Sequence, residues 1–168
     1  MLELKAGQRH LIIMTLDGQE VRGLTEPRML LSDFLRQELG RPEVHVGCEH
    51  GVCGACTVLL DGKPTRSCLT FAVQAAGRRV DTVRSLAHED QKLSDLQNAF
   101  RKHHGLQCGY CTPGILLSAE AFLTENPKPS EQEVREMLSG HICRCTGYVG
   151  IVDAILETAQ KRASAAAP

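Results

Sequence analysis

Residues 47–68 read GCEHGVCGACTVLLDGKPTRSC, and the first half of the chain is organised around them. Three cysteines, Cys48, Cys53 and Cys56, crowd one loop at spacings of four and two residues. The fourth, Cys68, returns after eleven more residues, beyond an Asp61-Gly62 turn. Structural zinc sites pair their cysteines two to four residues apart, twice over, which this stretch does not do. Three thiols in one loop and a fourth from the next strand match an iron–sulfur loop. A thiolate-bound iron–sulfur centre is an anion, and burying it requires N–H donors aimed at the sulfurs. Gly47, Gly51 and Gly54 let the backbone turn its amides inward, and Ala55 keeps the loop thin.

The spacing is that of plant-type [2Fe–2S] ferredoxins, and the flanking residues supply a matching frame. Residues 9–16 read as a strand, Asp17-Gly18 as a hairpin turn, and residues 19–24 as the returning strand. Pro27 opens a helical pattern carried by Met29, Leu30, Leu31, Phe34, Leu35 and Leu39, and Gly40 closes it. Residues 57–60 and 64–69 form a second hairpin, and residues 78–83 a last strand. The order β-β-α-β-β-β predicts a small mixed sheet crossed by one helix.

From residue 94 the pattern is helix and turn only. Ser94 is the expected cap of a helix ending near Gly105. Thr112-Pro113 reads as an N-cap followed by proline at the first helical position of a second. Ser130 and Glu133 form a capping box for a third, which stops at Gly140. Residues 151–162 form a fourth, and residues 164–168 a frayed tail. The expected organisation is a domain over 1–84 and a second over 85–168, joined near 84–92.

A short internal repeat lies in the second half: GLQCGYCTPG (105–114) and GHICRCTGY (140–148). Each has a helix-stopping glycine, a cysteine pair, a threonine and then a new helix. Cys143 and Cys145 are too close for a disulfide. The repeat predicts that Cys108 and Cys111 meet them across the 31 residues that separate Cys111 from Cys143. In isolation this quartet fits structural zinc or an iron–sulfur cluster, and helix N-termini favour thiolates in either case.

The remaining composition is restrictive. Net charge is −1, from 19 basic and 20 acidic residues, and gives no reason to expect nucleic acid or a polybasic membrane contact. Apolar runs are too short to span a bilayer. The N-terminus MLELKAGQRH has no basic region followed by an apolar block, so the cytoplasm is expected, where eight cysteines at close spacing bind metal rather than form disulfides. No strand is followed by GxGxxG and no P-loop is present, so the chain is expected to carry no substrate chemistry of its own.

GCEHGVCGACTVLLDGKPTRSC, QCGYCTPG and HICRCTGY together resemble the iron–sulfur subunit of the molybdenum hydroxylases, the xanthine dehydrogenase and aerobic carbon monoxide dehydrogenase superfamily. The resemblance spans about residues 10 to 162 and takes in all eight cysteines in order. It implies an α+β chain: an N-terminal plant-ferredoxin-like β-grasp domain followed by an all-α four-helix-bundle [2Fe–2S] domain. It implies two [2Fe–2S] clusters, a distal one on Cys48, Cys53, Cys56 and Cys68 and a proximal one on Cys108, Cys111, Cys143 and Cys145. It further implies a large subunit carrying the molybdopterin cofactor and a medium subunit carrying FAD, assembled as a dimer of heterotrimers. Gln107 and Cys145 are the residues it places against the pterin, and the implied role is a relay of single electrons from molybdenum to flavin. Residues 69–75, LTFAVQA, lean toward the N-heterocycle hydroxylases. Two readings compete with the relay: a freely diffusing two-cluster ferredoxin and a zinc-stabilised interaction module.

Other residues carry plainer expectations. His103 and His104 are expected to satisfy a helix C-terminus, and His50 and Glu49 to be exposed loop residues. Arg144 is expected to offset cluster charge, and Tyr110 and Tyr148 to pack in the core.

Overall fold

The computed structural model describes residues 4–87 and 92–165. Part of the expected joint, 88–91, and the last three residues of the expected tail lie outside the described residues.

The first half is a five-stranded mixed sheet. β1 (His10–Leu16) and β2 (Gln19–Thr25) form an antiparallel hairpin around Asp17-Gly18, with Leu16 opposite Gln19. Asp17 has φ 50° and Gly18 φ 81°, the left-handed pair that such a turn requires. β3 (Thr57–Leu60) and β4 (Lys63–Arg66) repeat the device around Asp61-Gly62. β5 (Arg79–Asp81) lies between the hairpins, parallel to β1 and antiparallel to β3, giving the order β2-β1-β5-β3-β4. One face buries Ile12, Met14, Leu16, Val58, Leu60 and Val80 against Leu31, Phe34 and Leu35 of the crossing helix.

That helix is shorter than its sequence pattern. It begins at Leu31, not near Pro27, as α1 (Leu31–Asp33), and continues as a π turn over Phe34–Glu38. Met29 and Leu30 are diverted: the Met29 carbonyl accepts from the Ala72 amide at 2.8 Å and Leu30 bridges to Phe71. β4 likewise stops at Arg66, because Ser67–Leu69 turn inward in a 3-10 turn that buries Cys68. β5 ends at Asp81 because Thr82 leaves the ladder to pair with Asp17 and cap the turn at Val83–Leu86.

The second half is four helices: α2 (Asp95–Lys102), α3 (Thr112–Glu125), α4 (Glu131–Leu138) and α5 (Val149–Ala165). Ser94 and Ser130 cap α2 and α4, each in a reciprocal box with Gln97 and Glu133. α3 departs from expectation: Cys111, not Thr112, is its N-cap, and the Thr112 hydroxyl is buried with no partner among the described residues. The helices enclose a second apolar core built on Leu96, Phe100, Ile115, Ile151 and Ile155. Val83 and Leu86, either side of the expected division at 84, both pack on it. Arg162 of α5 pairs with Asp95 and Glu120, tying α2 and α3 to α5. No helix among the described residues is long and apolar enough to cross a membrane.

Candidate metal centres

None of the eight cysteines forms a disulfide. The first four come together at the end of the sheet. Cys48 and Cys53 are within hydrogen-bonding reach of each other, as are Cys56 and Cys68, and the two pairs interact electrostatically. The loop folds onto Cys48: the amides of Cys53 and His50 both donate to its sulfur at 3.4 Å, and they hold its thiol down at about 6. Burial pushes Cys68 up to about 11, and it raises Cys53 as well.

The other four meet where α3 and α5 begin. Cys145 and Cys108 sulfurs lie 3.6 Å apart, and Cys111 and Cys143 are within hydrogen-bonding reach. The expectation that the two cysteine pairs of the internal repeat converge therefore holds in the structure. Burial pushes Cys111 up to about 12. Burial also raises Cys143, but the Thr146 hydroxyl, 3.1 Å away, and the amides of Cys145 and Thr146 outweigh it and bring the thiol below its ordinary value. The Tyr148 hydroxyl accepts from the Cys143 amide at 2.8 Å and donates to the His141 carbonyl, so this half-buried ring also fixes the CxC turn.

The donor sets can be tested against the group they would hold. Thiolate–metal bonds of about 2.3 Å at a tetrahedral ion put two sulfurs close to the observed 3.6 Å. The pairs within reach of each other are Cys48 and Cys53, Cys56 and Cys68, Cys108 and Cys145, and Cys111 and Cys143, which suits one pair per iron of a two-iron centre. The sulfur-directed amides and the thin loop complete the fit.

The two quartets are joined by a tight seam. The Ile142 amide donates to the Cys53 carbonyl at 3.0 Å. The Arg66 guanidinium reaches the Gly51 carbonyl, the Thr57 hydroxyl and the Gly140 carbonyl, at 3.4, 2.5 and 2.6 Å. A Cβ on Gly114 would collide with the Gly54 carbonyl, and one on Gly54, at φ 76°, with His141 and Gly140. Only glycine permits this approach. His141 is 4% exposed, bonded through Nε2 to the Ser118 hydroxyl, and burial lowers it to about 4.

The remaining expectations divide. Gln107 Nε2 donates to the Cys145 carbonyl at 3.0 Å, so these two residues are neighbours. His50 and Glu49 are exposed, and His50 Nδ1 also donates to the Cys48 carbonyl. Arg144 is exposed. His103 bonds Glu157 of α5 at 2.5 Å instead of helix carbonyls. Tyr110 is not a core residue: it is 47% exposed and stacks on His45. Sequence reasoning passed over Arg66, His45 and Ile142. Closeness to Cys68, two residues on, and adjacency to Cys143 are the signals for the first and last; nothing local marks His45.

Residues 14–87 match the 2Fe-2S iron-sulfur cluster binding domain family, and residues 82–156 match the [2Fe-2S] binding domain family. The chain is 52% identical over 149 residues to caffeine dehydrogenase subunit gamma of Pseudomonas sp. (strain CBB1), covering 87% of this chain and 89% of that one. The crystal structure of quinoline 2-oxidoreductase from Pseudomonas putida 86 superposes with a TM-score of 0.90 at 49% identity, over 95% of this chain and 99% of that chain. The aldehyde oxidoreductase of Desulfovibrio desulfuricans superposes with a TM-score of 0.87 at 40% identity, over 92% of this chain but 17% of that much longer one. With two [2Fe–2S]-binding domains in series, the chain belongs to the small iron–sulfur subunits of the molybdenum hydroxylase family.

Proposed function

We propose that this chain relays single electrons from a molybdopterin centre on a large subunit to FAD on a medium subunit. Cys48, Cys53, Cys56 and Cys68 hold the distal [2Fe–2S] cluster, and Cys108, Cys111, Cys143 and Cys145 the proximal one. In this reading Cys48 with Cys53 and Cys108 with Cys145 each hold one iron, and Cys56 with Cys68 and Cys111 with Cys143 the other; the 3.6 Å contact between the Cys108 and Cys145 sulfurs supports it. A [2Fe–2S] centre, when bound, takes up and releases one electron at a time. Gln107 and Cys145 face the pterin, and the Gln107 amide holds the Cys145 backbone in place.

The observation that carries this reading is the Cys53–Ile142 hydrogen bond. It links a residue of one quartet to the immediate neighbour of Cys143 in the other, which a relay needs and two unrelated metal sites do not. Apolar exposure supports permanent partners. Val52, Leu69 and Phe71 flank the first quartet, and Leu106, Ile142 and Val149 flank the second, each 36 to 61% exposed. The same region is part of one longer chain in the Desulfovibrio desulfuricans enzyme. The assembly is a dimer of heterotrimers in the cytoplasm, with the two cluster domains of this chain dividing near residue 84. The names of its relatives, caffeine dehydrogenase and quinoline 2-oxidoreductase, support an N-heterocycle as the substrate of the whole enzyme. Native purification tests the proposal: molybdenum and flavin co-purify with the chain. A stable monomer that carries both clusters and never brings molybdenum or flavin indicates a diffusing ferredoxin instead.

A further inference from the structure

His45 and Tyr110 come from opposite halves of the chain and form a contact that the cysteine chemistry does not require. Their rings stack with centroids 4.5 Å apart and planes inclined by 13°. His45 Nδ1 lies 2.7 Å from the Tyr110 carbonyl; a carbonyl only accepts, so Nδ1 carries the proton. The Tyr110 hydroxyl returns a bond to the Val46 carbonyl at 2.8 Å. Three linkages thus bind residues 45–46, just before Cys48, to the residue between Cys108 and Cys111. A Cβ built on Gly47 would lie 3.3 Å from the Cys53 sulfur and 3.6 Å from Tyr110 Cε1, so sulfur and ring flank one small gap.

We propose that the His45–Tyr110 pair is an inter-domain latch that fixes the spacing and relative orientation of the two cysteine quartets. Both are positioning residues. Neither is a ligand, and each acts through the loop that carries the ligands. The backbone bond from Ile142 to Cys53 and the Arg66 contacts lie along the same seam, and a stacked, doubly hydrogen-bonded pair stops it from rocking open. Electron passage is sensitive to such rocking because it depends on the separation of the two sites. The inference rests on the two-cluster reading.

The test uses the full chain with its clusters in place and compares wild type with His45→Ala, Tyr110→Ala and Tyr110→Phe. Iron content and the two reduced-state EPR signals report the cluster reading; if wild type lacks them, that reading fails. The latch is read separately, from the mutual spin–spin broadening of the two signals and from amide exchange at Ile142. In His45→Ala and Tyr110→Ala both signals persist, the broadening falls or is lost, and Ile142 exchanges faster. Tyr110→Phe, which keeps the stack and loses the hydroxyl, lies between these and wild type. Should Tyr110→Ala fail to assemble, His45→Ala decides, since its side chain lies outside the cysteine loops. Unchanged broadening and unchanged Ile142 exchange in His45→Ala overturn the latch.

Discussion

The amide of Ile142 donates to the carbonyl of Cys53 at 3.0 Å, although the Ile142 side chain is 53% exposed. One partner sits inside the first cysteine loop and the other beside the CxC turn of the second. The bond therefore reinforces the seam between the two apolar cores, alongside the Arg66 contacts, the His45–Tyr110 pair and the close approach of Gly114 to Gly54.

Its first consequence concerns amide exchange. The Ile142 amide exchanges slowly in the loaded chain despite its exposed side chain, because release requires the two halves to separate. Hydrogen–deuterium exchange resolved at this residue checks it; rapid exchange contradicts the seam.

Replacement of Cys143 by Ser removes one [2Fe–2S] EPR signal and leaves the other, because Cys111 and Cys143 pack in the helical core, which contains none of the first four cysteines. The helical half also loses stability, since cluster binding is linked to its folding. Low-temperature EPR and thermal unfolding of the variant read the two effects. Loss of both signals with the fold intact contradicts the separation.

Arg66→Met deletes all three guanidinium bonds and leaves the Gly140 carbonyl without its 2.6 Å partner. The expected cost is roughly 1–3 kcal/mol of stability, the penalty for unsatisfied partly buried polar groups. Removal of a cation between two anionic sites also shifts both midpoint potentials to more negative values. Denaturant unfolding and a redox titration followed by EPR check the pair of effects.

These contacts explain what was readable along the chain and what was not. The ligand spacings, the Asp-Gly turns and the Ser94 and Ser130 caps are local, and local chemistry fixes them. The convergence of Cys108 and Cys111 with Cys143 and Cys145 was legible because an internal repeat encodes it. Tyr110 read as core because its neighbours are cysteines, yet its stacking partner lies 65 positions away. Thr112 read as a cap, but Cys111 caps α3 and Thr112 is its first residue, with Gly114 packed on the Gly54 backbone. Pro27 read as a helix start, but Met29 and Leu30 are claimed by Ala72 and Phe71. In each case a contact distant in sequence outcompeted a local preference.

Glu157 gathers Lys102, Lys161 and His103, and the Lys102 bond first, then those of Lys161 and His103, pull its carboxyl down to about 2 from an ordinary 4.5. A carboxylate with a depressed folded pKa contributes stability that is complete above pH 4.5 and disappears as pH falls through about 2. Glu157→Gln therefore unfolds more easily than wild type at neutral pH, and the difference between the two closes over that acid window. Parallel denaturation series across pH measure the gap; a constant difference down to pH 2 contradicts the pairing.

Metal analysis of the purified full chain, combined with EPR of its reduced form, tests the central claim most directly. Two [2Fe–2S]-binding domains predict about four irons and four acid-labile sulfides per chain, with two distinct reduced-state signals. Stoichiometric zinc, or a single signal with two irons, contradicts the account.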